Sequence, residues 1–229
     1  MLPSMLRWQN LMRRVMRRQN KEKFDDIRVV NLLPEFVADK WVFTQQTLVN
    51  ANYSVSNYSG ESTKPEGNIM VVYPSGNYVE CYTSPIESLW PPLTVGHTYY
   101  LRWLSRKEWT ETGNGSTSGI TEDVYWPEVE DAILRGLNSS HYTRFRNNSH
   151  IFTLQQSQWP NLEVQDGRQK IRFDCNNQRK YVRYFVLADF MLIDLTKTYT
   201  DNGLAIPTLT DLTSKPYFFG SKRLHDWHR

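Results

Sequence analysis

Residues 69–83 read Ile69-Met70-Val71-Val72-Tyr73-Pro74-Ser75-Gly76-Asn77-Tyr78-Val79-Glu80-Cys81-Tyr82-Thr83. Two runs rich in β-branched and aromatic residues flank a Pro-Ser-Gly-Asn tetrapeptide. Proline pre-sets φ at the first central position of a turn and glycine accepts φ > 0, so the tetrapeptide predicts a reversal. The runs on either side predict two strands, and the three pieces together predict an antiparallel hairpin. In the second strand Tyr78, Glu80 and Tyr82 share one face, while Val79, Cys81 and Thr83 share the other. The fold reading starts here.

Outward from this stretch, the dominant period remains two. Residues 41–48 are β-rich and follow an approach containing Pro34. Residues 98–104 predict a further strand, with 107–112 as its extension. Strands are expected again at 150–155, 168–175, 181–187 and 190–196, and Ala188-Asp189 between the last two predicts a two-residue hairpin connection. Gly113 to Gly119 read as a loop. Pro127, followed by Glu128, Glu130 and Asp131, predicts a short helix over 126–137 ended by Gly136, because proline suits the first helical position and acids suit the positive end of the dipole. Many strands with one minor helix form an antiparallel meander that must close or sandwich to hide its edges. The division expected is a basic amphipathic helix over 1–24, a β body over 25–200 and a C-terminal tail over 201–229. Tyr217, Phe218, Phe219 and Trp227 predict that the tail packs.

The charge is uneven along the chain. Residues 1–23 carry Arg7, Arg13, Arg14, Arg17, Arg18, Lys21 and Lys23 against Glu22, a charge of +6 in a chain of net +3, which leaves −3 for the rest. Met5, Trp8, Met12 and Val15 recur at helical spacing, and the arginines fall largely off that stripe. Such a helix suits packing on the body, an anionic membrane surface, an acidic partner or a mitochondrial presequence. The acidic body itself has no electrostatic reason to seek nucleic acid. The location expected is cytoplasmic, or mitochondrial if 1–23 act as a presequence.

Composition narrows the chemistry. With 229 residues and 39% hydrophobic content the chain can bury one sizeable core without a disulfide scaffold. Cys81 and Cys175 are two thiols or at most one bridge. No stretch approaches about 18 uninterrupted apolar residues, the length of a transmembrane helix. The histidines His97, His141, His150, His225 and His228 lack metal-ligand spacing, and no phosphate-cradling glycine loop or nucleophile elbow occurs. No metal and no cofactor is expected. Sequons at Asn52, Asn57, Asn114, Asn138 and Asn147 read as by-products of a chain rich in Asn and Ser.

Three pieces in this order resemble the lipocalin-like (calycin) barrels. Residues 36–43, Phe36-Val37-Ala38-Asp39-Lys40-Trp41-Val42-Phe43, are similar to that family's opening strand built on Gly-x-Trp, with Asp39 where the glycine would stand. The stretch from Gly67 to Tyr78 is similar to its Gly- and Tyr-bearing hairpin. Residues 183–193, Arg183-Tyr184-Phe185-Val186-Leu187-Ala188-Asp189-Phe190-Met191-Leu192-Ile193, are similar to its closing hairpin.

The resemblance implies a mainly β fold, an antiparallel lipocalin-like barrel with an N-terminal amphipathic helix and one short inserted helix. Such a barrel encloses room for one small ligand. Alternation would then send Trp41, Tyr100, Trp103, Phe152, Phe173 and Tyr184 into a ligand-binding cavity. Wide aromatic faces suit a hydrophobic, ring-containing guest. Desolvated carboxylates at Glu80 and Asp194, with Tyr82 as a hydroxyl donor, are the catalytic candidates for cofactor-free cyclisation or isomerisation of a polyketide- or terpenoid-like substrate. Two other readings fit the same residues: a jelly-roll viral coat protein with a nucleic-acid-binding basic arm, and a mitochondrial accessory subunit.

Overall fold

The computed structural model describes residues 27–33, 41–44, 46–50, 63, 65–74, 78–83, 93–109, 121–125, 134–138, 145–155, 172–176 and 182–228. Within them are twelve strands: β1 Arg28–Val30, β2 Trp41–Thr44, β3 Gln46–Asn50, β4 Ile69–Pro74, β5 Tyr78–Thr83, β6 Thr98–Trp109, β7 Thr121–Tyr125, β8 Leu134–Asn138, β9 Arg146–Thr153, β10 Arg172–Asn176, β11 Val182–Asp194 and β12 Ser221–Arg223. Three short helices, α1 Leu195–Thr198, α2 Leu209–Thr213 and α3 Leu224–Trp227, and a 3-10 turn over Thr200–Asn202 complete the described chain. None of these helices is long and apolar enough to cross a membrane.

The chain is mainly β, and among the described residues its strands do not close into one cylinder. Among the described residues they pair into a first five-stranded sheet, β2-β5-β10-β7-β8, a second five-stranded sheet, β3-β4-β11-β6-β9, and the small pair β1-β12. The lipocalin-like barrel expected from the motif order is therefore replaced by two sheets facing one another. Trp41 of the first sheet meets Phe190 of the second, with ring centroids 5.1 Å apart. Phe190 in turn stacks on Trp103, with centroids 6.4 Å apart and planes 7° from parallel. This aromatic column joins the layers.

Two hairpin expectations are corrected. β4 and β5 do not pair: β4 lies beside β3 and β11, whereas β5 lies beside β2 and β10. Stacked sheets lie about 10 Å apart and four extended residues reach about 13 Å, so a tight reversal can link two sheets as readily as two neighbouring strands. β2 and β3, one residue apart in sequence, supply a partner to each: β2 pairs with β5 and β3 with β4.

The second correction concerns residues 181–196, where β11 is one strand of 13 residues. Ala188 faces Leu104 and Met191 faces Arg102, so Asp189 and Phe190 stand against the single residue Trp103 as a β-bulge. Asp189 takes φ 54°, the left-handed region that aspartate tolerates in turns and bulges alike. Its carboxylate accepts the backbone N–H of Gly67 at 2.8 Å and that of Glu66 at 3.0 Å, and these bonds hold it there.

The helix expected over 126–137 is not formed at its C-terminal end. Leu134–Asn138 pair with β7, with Leu134 opposite Val124 and Leu137 opposite Glu122, and neighbouring-strand pairing overrides the weak helical signal. Residues 126–133, and the N-terminal helix expected over 1–24, lie outside the described residues.

β11 is buried on both faces. Phe190 faces the first sheet, while Met191 and Ile193 join Tyr100 in an outer cluster with Leu212, Phe218, Leu224 and Trp227. Residues 209–228 thus lie over the outer face of the second sheet. Tyr217, Phe218 and Trp227 are buried there, and Phe219 is exposed.

Candidate functional site

The β6–β11 ladder sets the site. In antiparallel register Asp194 pairs with Tyr99, so the end of β11 meets the start of β6. A turn ahead of β6, with Gly96 at φ 86°, brings His97 alongside that end. His97 Nδ1 lies 2.8 Å from Asp194 Oδ2. The other carboxylate oxygen, Oδ1, accepts the Lys197 N–H at 2.9 Å and caps the N-terminus of α1. Thr98 N–H donates to Thr196 Oγ1 at 2.9 Å and ties the same two strand ends together.

A third segment completes the enclosure. Asn31, buried next to β1, donates to the carbonyls of Phe190 and Phe218, both at 3.1 Å. Its Oδ1 accepts from Leu33 N–H at 3.2 Å and Leu192 N–H at 3.0 Å, and Leu32 N–H donates to the Leu192 carbonyl at 2.8 Å. The strand edge that β4 leaves beyond Ala188 is thereby satisfied by the chain following β1. Every polar atom of the Asn31 side chain is used.

Between these segments lies a cavity of about 420 Å³. Arg28, Val30 and Leu32 form one wall, and Leu93, Thr94, His97 and Tyr99 a second. Asp194, Lys197, Thr198 and Asp201 form the third. His97 and Asp194 are partly shielded, with side chains 26% and 13% exposed. Tyr99 Oη accepts the Thr94 N–H at 2.7 Å. Burial, with the negative charge of Asp194 adding to it, pushes the Tyr99 hydroxyl up to about 12. Tyr99 therefore keeps its proton at neutral pH, and its hydroxyl donates back to the Thr94 carbonyl at 3.4 Å.

The dyad has a definite chemical sense. A carboxylate can only accept, so in a hydrogen bond to it His97 donates through Nδ1, which leaves Nε2 as the ring atom free for other contacts. A carboxylate that orients an imidazole and offsets the charge it gains is the arrangement that makes histidine an effective general base. Among the described residues no three His, Cys, Asp or Glu side chains are grouped so as to hold a metal ion.

Of the nine site residues expected from the sequence, Asp194 lines this cavity. Trp41 and Trp103, 3% and 2% exposed, form the aromatic column between the sheets instead. Tyr100 is buried on the outer face, where its hydroxyl donates to the Leu212 carbonyl at 3.3 Å. Phe152 is half-buried and stacks on Tyr99, with centroids 5.8 Å apart. On the backbone, Glu80 and Tyr82 sit on β5 opposite Asp174 and Arg172, Phe173 on β10 opposite Cys81, and Tyr184 on β11 opposite Glu108. Those four positions are distributed over both sheets.

From the sequence, His97 reads only as a histidine without metal-ligand spacing. It and Asp194 are 97 positions apart, and no local motif joins them. What links them is that one ends and the other precedes strands that turn out to be neighbours.

No protein-family model and no curated protein sequence matches this chain. Among solved structures it is similar to the Stig cyclase Fisc from Fischerella sp. TAU, in complex with (3Z)-3-(1-methyl-2-pyrrolidinylidene)-3H-indole. That match has 13% identity and a TM-score of 0.46, and covers 72% of this chain and 97% of that one. A CBM4 structure matches at 14% identity and a TM-score of 0.44, over 67% of this chain and 94% of that one. The xylan-binding CBM22-1 domain from Paenibacillus barcinonensis matches at 8% identity and a TM-score of 0.40, over 72% and 92%. These likenesses are distant ones between β-rich chains.

Proposed function

We propose that this protein binds a small, partly apolar molecule in the cavity at the β6–β11 end and catalyses a cofactor-free proton transfer on it, of the kind that drives isomerisation or cyclisation. One observation carries the reading: the 2.8 Å contact of His97 Nδ1 with Asp194 Oδ2 in the wall of a cavity of about 420 Å³. His97 Nε2 is the general base, and Asp194 holds the ring and offsets its charge. Val30, Leu32 and Leu93 supply the apolar contact. In an isomerisation the proton leaves one carbon of the guest for His97 and returns to another, so no electrons are gained or lost.

The test is a panel of small enolisable carbonyl compounds in D₂O, followed by proton NMR for deuterium uptake at carbon. Uptake that depends on the protein is expected for at least one cyclic or aryl-bearing compound. Relative to it, His97→Gln should slow exchange by about 10²-fold or more, the usual worth of a positioned general base. Exchange unchanged in His97→Gln sinks the reading.

A further inference from the structure

His97 is carried by a short loop ahead of β6, and whatever holds that loop decides where the imidazole lies. The residue that follows β9 fastens one side: the Leu154 carbonyl accepts the Gly96 N–H at 2.8 Å, and the Leu154 N–H donates to the His97 carbonyl at 3.0 Å. Within the loop, the His97 N–H donates to the Thr94 carbonyl at 3.2 Å. Thr94 is itself gripped by a side chain. Tyr99 Oη accepts its N–H at 2.7 Å and donates to its carbonyl at 3.4 Å. The carbonyl that receives the His97 N–H is therefore the one that the phenol holds. Tyr99 is well fixed for this. It is fully buried, stacks on Phe152, and stands opposite Asp194 in the β6–β11 register. Its ring centroid lies 6.4 Å from that of His97. One buried ring thus stands beside both members of the dyad, while its hydroxyl is engaged by the loop rather than by the cavity. A ring that only filled the core would need no hydroxyl.

We propose that Tyr99 is the positioning residue of the dyad: through Thr94, its hydroxyl fixes the loop that sets His97 Nδ1 against Asp194. The inference rests on the catalytic reading of His97 for its effect on rate, and on the loop geometry alone for its effect on the imidazole. Small displacements of a reacting group cost rate steeply, so a clamp two bonds removed from the imidazole matters to the chemistry without touching the guest.

Tyr99→Phe keeps the buried ring and removes the hydroxyl. In long-range proton–nitrogen NMR spectra of the full-length protein at mildly alkaline pH, His97 should carry its ring proton on Nδ1. In Tyr99→Phe that single tautomer should give way to the mixture of a mobile histidine. Deuterium uptake by the responsive carbonyl compound should slow about tenfold or more in kcat, with KM little changed. Phe152→Leu, which loosens the ring and keeps the hydroxyl, should lower the urea midpoint and leave the tautomer in place. One measurement needs no variant: the wild-type Thr94 amide should exchange with solvent about 10²-fold or more slowly than an open loop amide. A wild type without the Nδ1 proton, an unchanged tautomer in Tyr99→Phe, equal loss of it in Phe152→Leu, or a Thr94 amide exchanging at the open-loop rate overturns the inference. A tautomer lost in Tyr99→Phe, in a protein that promotes no deuterium uptake, leaves it standing while the catalytic reading falls.

Discussion

Asp194 serves two purposes, and they can be separated. Its Oδ1 caps α1 and its Oδ2 faces His97. Asparagine caps a helix about as well as aspartate, whereas alanine forfeits the cap at about 1 kcal/mol. Asp194→Asn should therefore keep near-native urea stability while deuterium exchange collapses, and Asp194→Ala should lose both. If Asp194→Asn retains full exchange, the carboxylate serves structure alone. A second residue-scale expectation concerns pH. Burial, the larger cause, and Lys215 hold the His228 imidazole below its ordinary 6.5, against a smaller opposing effect of Asp211. Burial does the same at His150. The unfolded chain then takes up protons before the folded one does. Stability is complete above about pH 6.5 and falls as the pH drops through the folded values, by at most about 1.4 kcal/mol per pH unit for each histidine. Denaturation midpoints between pH 7 and 5 should show this slope, reduced in His228→Gln. The Tyr199 hydroxyl, 2.6 Å from His228 Nε2, is the contact that substitution alters.

At the scale of elements, Asn31 decides where β1 stands and hence where one wall of the cavity stands. Asn31→Ala leaves the Phe190 and Phe218 carbonyls and the Leu33 and Leu192 amides without their side-chain partner. Buried groups left unpaired cost about 1–3 kcal/mol each, so a loss of about 3–5 kcal/mol is expected from urea denaturation, with some of them recovering water. A loss below 1 kcal/mol would mean that the chain after β1 is held by other contacts. Most strands of the described chain were legible as strands, because period two and β-branched composition report locally on an extended, half-buried backbone. Their partners were not. Pro74-Ser75-Gly76-Asn77 announces a reversal, and the same residues serve a hairpin or a corner between sheets. Ala188-Asp189 carries the αL tolerance that a two-residue turn and a β-bulge share, and only the Glu66 and Gly67 amides, more than 120 positions away, decide for the bulge.

Across the whole molecule, the second sheet is a middle layer, with the first sheet on one side and residues 209–228 on the other. A chain ending at residue 206 would expose Tyr100, Met191 and Ile193 and remove Leu212, Phe218, Leu224 and Trp227. Each large side chain contributes about 1.5–3 kcal/mol on burial, so the loss approaches the entire stability of a domain, about 5–15 kcal/mol. The truncated protein should lack a cooperative melting transition and elute as aggregate on size exclusion, and a folded monomer would contradict the three-layer account. A mainly β chain followed from the sequence by itself, because alternation and β-branched content act over a few positions. The tertiary structure alone decided that the strands make two sheets, that Trp41 and Trp103 pack between them, and that His97 meets Asp194. Those outcomes depend on which strands become neighbours, and strand pairing is a long-range choice that period and turn chemistry leave open.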